Sequence, residues 1–382
     1  MGIVFWLAAA AVAFTYAGYP LLMALRARLA PVPLRPVRAT PTIDILLVVH
    51  DAADMVEAKL RNLLALDYPP ERIRINLVCD GCGDGTESVA QAFVGAGLRV
   101  FAFRGRRGKS ACIADVLPRL DSELVLFTDV RQRIDPGAAR ALADVLSDPR
   151  VGAASGELVL EAETGYGRGI DAYWRFEKLL RRLESASGSI VGVTGALYAA
   201  RRSLLAPPPP GIILDDMWIP LSIAAGGHRI VFVPEARAYD RGATDSASEE
   251  TRKRRTLAGN YQLLHRWPRL ALPGGHPLAL RLWGHKWLRL AAPWCLLLLF
   301  ASNLWLARDG APFYLALLFL QCAAYLLAFA ARAWPALATF RPARLCAAFL
   351  SLNLSAALAL VDYLRNPHAH LWRTTRLEES RQ

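Results

Sequence analysis

The sequence is short of the residues that build metal cages and disulfide frameworks. Its 382 residues include six cysteines and seven histidines. Cys79-x-x-Cys82 stands without a second ligand pair, which argues against a zinc site. Cys79, Cys82, Cys112, Cys295, Cys322 and Cys346 therefore read as reduced thiols. His368 and His370 read as surface residues with no metal role. Charge is missing from Ile3 to Leu25. No basic region precedes that run, and it exceeds the ~7–15 residues of a signal-peptide core, so it reads as an uncleaved anchor. Lysine is scarce: five lysines stand beside forty arginines, and arginine carries the formal charge of +12.

What is abundant is apolar residue, 54% of the chain, against the ~45–50% of ordinary soluble domains. The excess sits in four stretches: Ile3–Leu25, Leu290–Ala307, Ala311–Ala331 and Leu345–Val361. A helix crosses a hydrocarbon core of ~30 Å with ~20 residues, so each stretch is a candidate membrane span. This distribution excludes a disordered chain, a secreted disulfide scaffold and a fully soluble enzyme. Arginines flanking the spans account for much of the positive charge, which argues against nucleic acid as a partner.

The segment between Arg26 and Pro41 carries Arg26, Arg28, Arg35 and Arg38 with four prolines, and reads as a stiff basic linker. Positive charge favours the cytoplasmic side, which locates the next domain there, at the inner membrane. Pro277 to Arg289 mixes Leu and Trp with Arg281, His285, Lys286 and Arg289, the pattern of a helix lying in the interface plane. The expected division is an N-terminal anchor at 1–28, a linker at 29–41 and a cytoplasmic domain at 42–270. An interfacial segment at 271–289, transmembrane helices at 290–364 and a tail at 365–382 follow. Four full crossings put the tail arginines Arg365, Arg373, Arg376 and Arg381 outside, against the positive-inside tendency, so the side of the tail stays open.

The central domain reads as α/β. Ile43–Val49 is a nearly continuous apolar run, as in a strand buried on both faces. Ile73–Cys79, Leu98–Phe103 and Leu124–Thr128 are further strands, with helices near 53–65 and 109–119, and Glu157–Glu161 is a candidate strand. Strands alternating with helices predict a mostly parallel sheet, and ligands collect at its carboxyl ends. His50-Asp51, Asp80, Arg104 to Lys109 and Asp129 all follow strands and should therefore lie near one another.

Gly105 to Ser110 looks like part of a phosphate loop, yet the required earlier glycine is Phe103, which removes the backbone cradle of a nucleoside triphosphatase. A site for a nucleotide-diphosphate sugar fits better. Asp51 and Asp80 offer hydrogen-bond acceptors to a base and ribose. Asp129 is a hard oxygen ligand suited to Mg²⁺ or Mn²⁺. Lys109, Arg104 and Arg106 offset charge on a leaving diphosphate. Asp216 suits a general base, with Asp215 beside it raising its proton affinity. Trp218, Trp267 and Tyr198 are aromatic enough to stack on sugar rings, although such residues more often pack in cores.

These residues resemble the membrane-bound family 2 glycosyltransferases of GT-A fold, over about Pro41 to Trp267. Val49-His50-Asp51 resembles that family's first-strand motif, and Val78 to Thr86 its DDGSxDGT segment. Arg107-Gly108-Lys109 resembles its RxGK region, Phe127-Thr128-Asp129 the start of its DxD, Gly192 to Ala196 its acceptor-side glycine segment, and Asp215-Asp216 its acidic doublet. The resemblance implies an inverting transferase taking a sugar from a nucleotide donor, UDP by analogy, with Asp216 as base. The implied acceptor is lipid-linked or a growing polysaccharide, and the implied partners are membrane lipids and other subunits of a polysaccharide assembly system. The DxD here reads Asp129-Val130-Arg131, so Arg131 stands where a second acid is usual, and Arg131 or Gln132 is the candidate contact to diphosphate or metal-bound water. The processive QxxRW motif has one residue too many at Gln262 to Trp267, and Arg252 to Arg255 is its candidate replacement, with Arg252 and Arg255 as diphosphate contacts. The altered DxD also leaves a rival: a nucleotide-binding scaffold subunit that kept the fold and lost turnover.

Overall fold

The computed structural model describes residues 1–95, 97–161, 168–241, 246–334, 337, 339–366 and 371, with the side chains of 168–173, 241 and 246–249 left aside. His368, His370, Arg373, Arg376, Arg381 and most of the expected tail lie outside the described residues. The described chain forms two compact units, one of Pro31–Glu163 with Glu184–Ala243, the other of Met1–Ala30, Thr164–Leu183 and Thr244–Arg365.

The first unit is built on a sheet whose first strand, β1 (Ile43–Val49), is buried along its whole length. Beside it in the chain come β2 (Ile73–Asp80), β3 (Leu98–Phe103), β4 (Leu124–Thr128), β5 (Arg133–Ile134), β6 (Val151–Glu161), β7 (Leu197–Arg201) and β8 (Arg229–Arg241). They lie in the order β3-β2-β1-β4-β7-β6-β8-β5. β1 is parallel to β2 and β4, β2 to β3, and β6 to β8, whereas β7 runs antiparallel to β4 and β6. The chain steps outward from β1 to β3, then returns to β4 on the other side of β1. That reversal opens a crevice at the carboxyl ends of β1 and β4, where ligands of α/β sheets bind.

Helices cover the sheet with apolar faces: Ala53–Leu64 buries Met55, Val56, Leu60 and Leu63, and Ala138–Leu146 buries Leu142 and Leu146. The one acid inside β1, Asp44, is fully buried but satisfied, accepting from Asn76 Nδ2 at 2.9 Å and from the Ser122 amide at 3.0 Å. β6 begins at Val151, six residues before the strand expected from Glu157. Its early residues are small and carry little strand signal. They are small because the strand is crowded: a Cβ on Gly156 would lie 2.6 Å from the Ala236 carbonyl oxygen.

Among its described residues the second unit holds four helices long and apolar enough to cross a membrane: Gly2–Leu29, Ala279–Ala307, Pro312–Ala333 and Arg341–Arg365. The segment expected to lie as a separate interfacial helix up to Arg289 is instead continuous with the second of these from Ala279 onward. At 1.5 Å per residue its 29 residues are longer than a bilayer core of ~30 Å, and its first turns carry Arg281, His285, Lys286 and Arg289. Those turns are fixed by Glu177, whose carboxylate accepts from His285 Nε2 at 2.7 Å and Arg289 Nη1 at 2.9 Å.

Candidate active site

The crevice is assembled by loops that hold one another. Asp51, just after β1, adopts φ 46°, a left-handed conformation that short polar residues tolerate best after glycine. From there its Oδ1 accepts the Gly83 amide at 2.8 Å, tying the β1 loop to the β2 loop. His50 adds a second tie, with Nδ1 2.7 Å from the Asp80 carbonyl oxygen.

Asp80 ends β2 fully buried, and both of its carboxylate oxygens are engaged: Oδ1 by the Arg107 amide at 2.7 Å and Oδ2 by the Gly108 amide at 2.8 Å. The two loops touch at Gly81, where φ is +65° and a Cβ would lie 2.7 Å from the Arg106 nitrogen. Glycine is required there on both counts. Asp80 therefore shapes the basic loop 105–108, which leads directly into the helix Lys109–Val116. Arg106 in that loop keeps two buried guanidinium nitrogens, Nε and Nη2, without an acceptor among the described residues.

Lys109 opens that helix beneath the acids. Its Nζ donates to Asp129 Oδ1 at 2.7 Å and lies 3.6 Å from Asp215 Oδ2. Burial works against its ammonium, but Asp129, Asp215 and Asp216 outweigh burial and hold its pKa above the ordinary lysine range. Asp129 follows β4, and its side chain is 41% exposed. Asp215 and Asp216 open the helix Asp215–Ala225, where carboxylates suit the helix dipole. Gly195 completes the floor: a Cβ there would lie 3.4 Å from Asp216 Oδ2 and 3.7 Å from Asp129 Oδ2. Two carboxylate oxygens from distant parts of the chain thus face one bare glycine. Tyr198, beside this cluster, is fully buried and stacks on Phe127 with centroids 4.4 Å apart, so it packs in the core and offers no face to a sugar. Burial and then the charges of Asp215, Asp216 and Asp129 push its hydroxyl pKa up.

Two residues that the sequence did not single out support the loop after β4. Lys59 is buried in the helix Ala53–Leu64 and donates to Thr128 Oγ1 at 2.9 Å and to the Gln132 carbonyl at 2.6 Å. Burial lowers its pKa to about 7, although Asp129 opposes the shift. Asp240, near the end of β8, forms an ion pair with Arg131 and accepts from Gln132 Nε2 at 3.1 Å. Neither had a usable sequence signal: Lys59 sits at an ordinary helical position, and Asp240 lies over a hundred residues from Arg131 in the chain.

The structure therefore brings together Lys109, Asp129, Asp215 and Asp216, and links Asp51 and Asp80 to them through backbone contacts. Arg131 is turned to Asp240. Arg252 and Arg255 lie in the helix Ser246–Arg266 of the other unit, where their neighbour Arg254 forms a two-pronged pair with Asp362 at 2.7 and 2.6 Å.

Three carboxylates around a single lysine leave an excess of negative charge that a divalent cation matches. Mg²⁺ and Mn²⁺ are commonly held by one or two carboxylates plus substrate phosphates. Asp129, with one oxygen on Lys109 and the other facing the crevice, fits that pattern.

Comparisons with known proteins agree with this architecture. The sequence model described as glycosyltransferase-like family 2 matches residues 41–268. An N-acetylglucosaminyltransferase of Rhizobium leguminosarum bv. viciae is 26% identical over 216 residues, 52% of this chain and 50% of that protein. The chain thus matches about half the length of that curated relative. The mannosyltransferase PcManGT from Pyrobaculum calidifontis, solved in complex with GDP-Man and Mn²⁺, superposes with a TM-score of 0.70 at 24% identity. That similarity covers 94% of this chain and 99% of the other, and shows a shared GT-A-like fold. With the match spanning the whole sheet and its crevice, the chain belongs to glycosyltransferase-like family 2.

Proposed function

We infer that the protein is a membrane-anchored inverting glycosyltransferase that moves a hexosyl group from a nucleotide-diphosphate sugar to a hydroxyl of a lipid-linked or growing polysaccharide acceptor. The observation that carries this reading is the meeting of Asp129 and Asp216 at Gly195, with Lys109 between the acids. UDP is the favoured donor nucleotide, from the resemblance of the first two loops. The relatives support a hexosyl donor, since one is an N-acetylglucosaminyltransferase and another a mannosyltransferase.

In this mechanism the donor diphosphate lies along the basic loop. The two unpartnered nitrogens of Arg106 take phosphate oxygens, and Lys109 shares its charge between Asp129 and the leaving group. Asp51 and Asp80 hold the loops that receive the base and ribose. Asp129 would hold Mg²⁺ or Mn²⁺, which when bound supplies Lewis-acid stabilisation of the diphosphate. Asp216 accepts the proton of the acceptor hydroxyl as its oxygen attacks C1 from the face opposite the diphosphate, and the configuration inverts. A positioned base of this kind contributes roughly 10²–10⁴ in rate.

Arg131, which stands where a second acid is usual and pairs instead with Asp240, favours one rival, the scaffold that binds donor without turnover. Both readings are tested with purified protein, Mn²⁺ and UDP-sugars. Transfer or donor hydrolysis is expected, with Asp216→Asn lowering kcat at least 100-fold while donor affinity changes less than about threefold. Donor binding without turnover in the unaltered protein would select the scaffold, and an active Asp216→Asn would remove Asp216 from the base role.

A further inference from the structure

The helix Ala53–Leu64 connects two parts of the donor crevice that are distant in the chain. At its start the Ala52 amide donates to Thr86 Oγ1 at 2.8 Å and the Ala53 amide to Asp84 Oδ2 at 2.9 Å, which fastens the helix to the turn after β2. Further along, Lys59 and Asn62 are three residues apart and so share a face of the helix. Both side chains reach the segment 128–134.

Lys59 closes a short loop like a clasp. Its Nζ donates to Thr128 Oγ1 in the last residue of β4 at 2.9 Å, and to the carbonyl of Gln132, just before β5, at 2.6 Å. Residues 129–132, with Asp129 and Arg131 among them, lie between those anchors. Asn62 fixes the next stretch: Nδ2 donates to the Ile134 carbonyl at 2.9 Å and Oδ1 accepts the Ile134 amide at 2.7 Å. Thr128 carries the restraint across the crevice, because its hydroxyl donates to the carbonyl of Ala196, the neighbour of Gly195, at 2.9 Å.

The side chains match what they meet. The Gln132 carbonyl and the Thr128 oxygen both take donors, and an ammonium offers donors alone; Ile134 presents one donor and one acceptor, which a carboxamide answers. Asp129 is 41% exposed and meets Lys109 through one oxygen. The direction of its second oxygen therefore depends on the backbone of the loop.

We propose that Lys59 and Asn62 are positioning residues for the donor complex, holding the loop 129–132 so that Asp129 presents its second oxygen to the divalent cation of a nucleotide diphosphate. The inference rests on the proposed transferase reading and adds to it two residues that touch neither donor nor acceptor. The nucleoside is received by the loops after β1 and β2, which keep their own ties at Asp51 and His50. Loss of the clasp therefore weakens the metal-dependent part of donor binding and spares the rest.

The test uses the full-length protein in detergent, measuring UDP binding by calorimetry with and without Mn²⁺, and free Mn²⁺ by electron paramagnetic resonance in the presence of UDP. In the wild type Mn²⁺ is expected to tighten UDP binding roughly tenfold or more, and UDP to tighten Mn²⁺ binding by the same factor. Lys59→Met and Asn62→Leu should bind UDP without metal within about twofold of the wild type, yet lose roughly fivefold or more of the gain from Mn²⁺. Arg61→Ala, on the exposed side of the same helix where Arg61 pairs with Glu57, should behave as the wild type. Variants at 59 and 62 that keep the whole Mn²⁺ gain would overturn the proposal. So would variants that lose UDP binding equally with and without Mn²⁺, since that pattern marks a general defect of folding. A wild type that binds UDP with no gain from Mn²⁺ would overturn the proposal and leave the transferase reading standing. A wild type that binds no UDP in either condition would remove the transferase reading and this proposal with it.

Discussion

Single residues in this molecule act mainly by restraining loops. Asp80 spends both oxygens on backbone amides, and Lys59 spends its ammonium on Thr128 and the Gln132 carbonyl. Buried charge of this kind has a signature in pH. The folded Lys59 has a pKa of about 7, whereas an unfolded lysine titrates near 10.4. Between those values the unfolded chain binds more protons, so stability rises with pH across that window. The full effect has an upper bound of about 5 kcal/mol. Thermal midpoints of the purified protein and of Lys59→Met, measured from pH 7 to pH 10, should therefore diverge, with the wild type gaining as pH rises. Parallel curves would mean that Lys59 keeps an ordinary pKa. Arg131 and Asp240 make the opposite economy, each removing the other's charge from the crevice.

At the scale of elements, the proline-rich linker is held in place despite having no regular structure of its own. Its amides reach the end of the helix Ala138–Leu146: Arg35 donates to Asp148 Oδ2 at 3.0 Å, Val37 to Ser147 Oγ at 2.7 Å and Ala39 to Asp144 Oδ1 at 3.1 Å. Arg150 grips the same Asp148 through Nη2 at 2.7 Å and the Pro33 carbonyl at 2.9 Å. A chain with few amides to offer, because proline has none, places each remaining one on a side chain. Asp148→Ala removes the shared acceptor. Limited trypsin digestion should then cut after Arg38 several-fold faster than in the wild type, and equal rates would show that Asp144 and Ser147 hold the linker unaided.

At the scale of the whole molecule, the exposed faces of the apolar helices suit lipid. Leu7, Leu297, Phe319 and Phe329 are among the large side chains left open, with Phe319 at 76% exposure, and water-facing surfaces rarely carry such contiguous apolar area. Expressed in bacterial cells, the protein should stay in the membrane pellet through alkaline carbonate washing and leave it only with detergent. Release by carbonate alone would mean that the helices do not span.

The sequence determined the elements whose signal is local. Four long uncharged runs, the buried strand Ile43–Val49 and the polar residues at strand ends follow from hydropathy and period, and the structure contains each. Tertiary structure decided what those polar residues touch. Nothing near Arg131 in the chain points to Asp240, Lys59 sits at an ordinary helical position, and Tyr198 looks available until Phe127 covers it. The reason is physical: hydrophobic burial imposes a repeating pattern on each segment, whereas a hydrogen bond between two loops leaves no pattern in either.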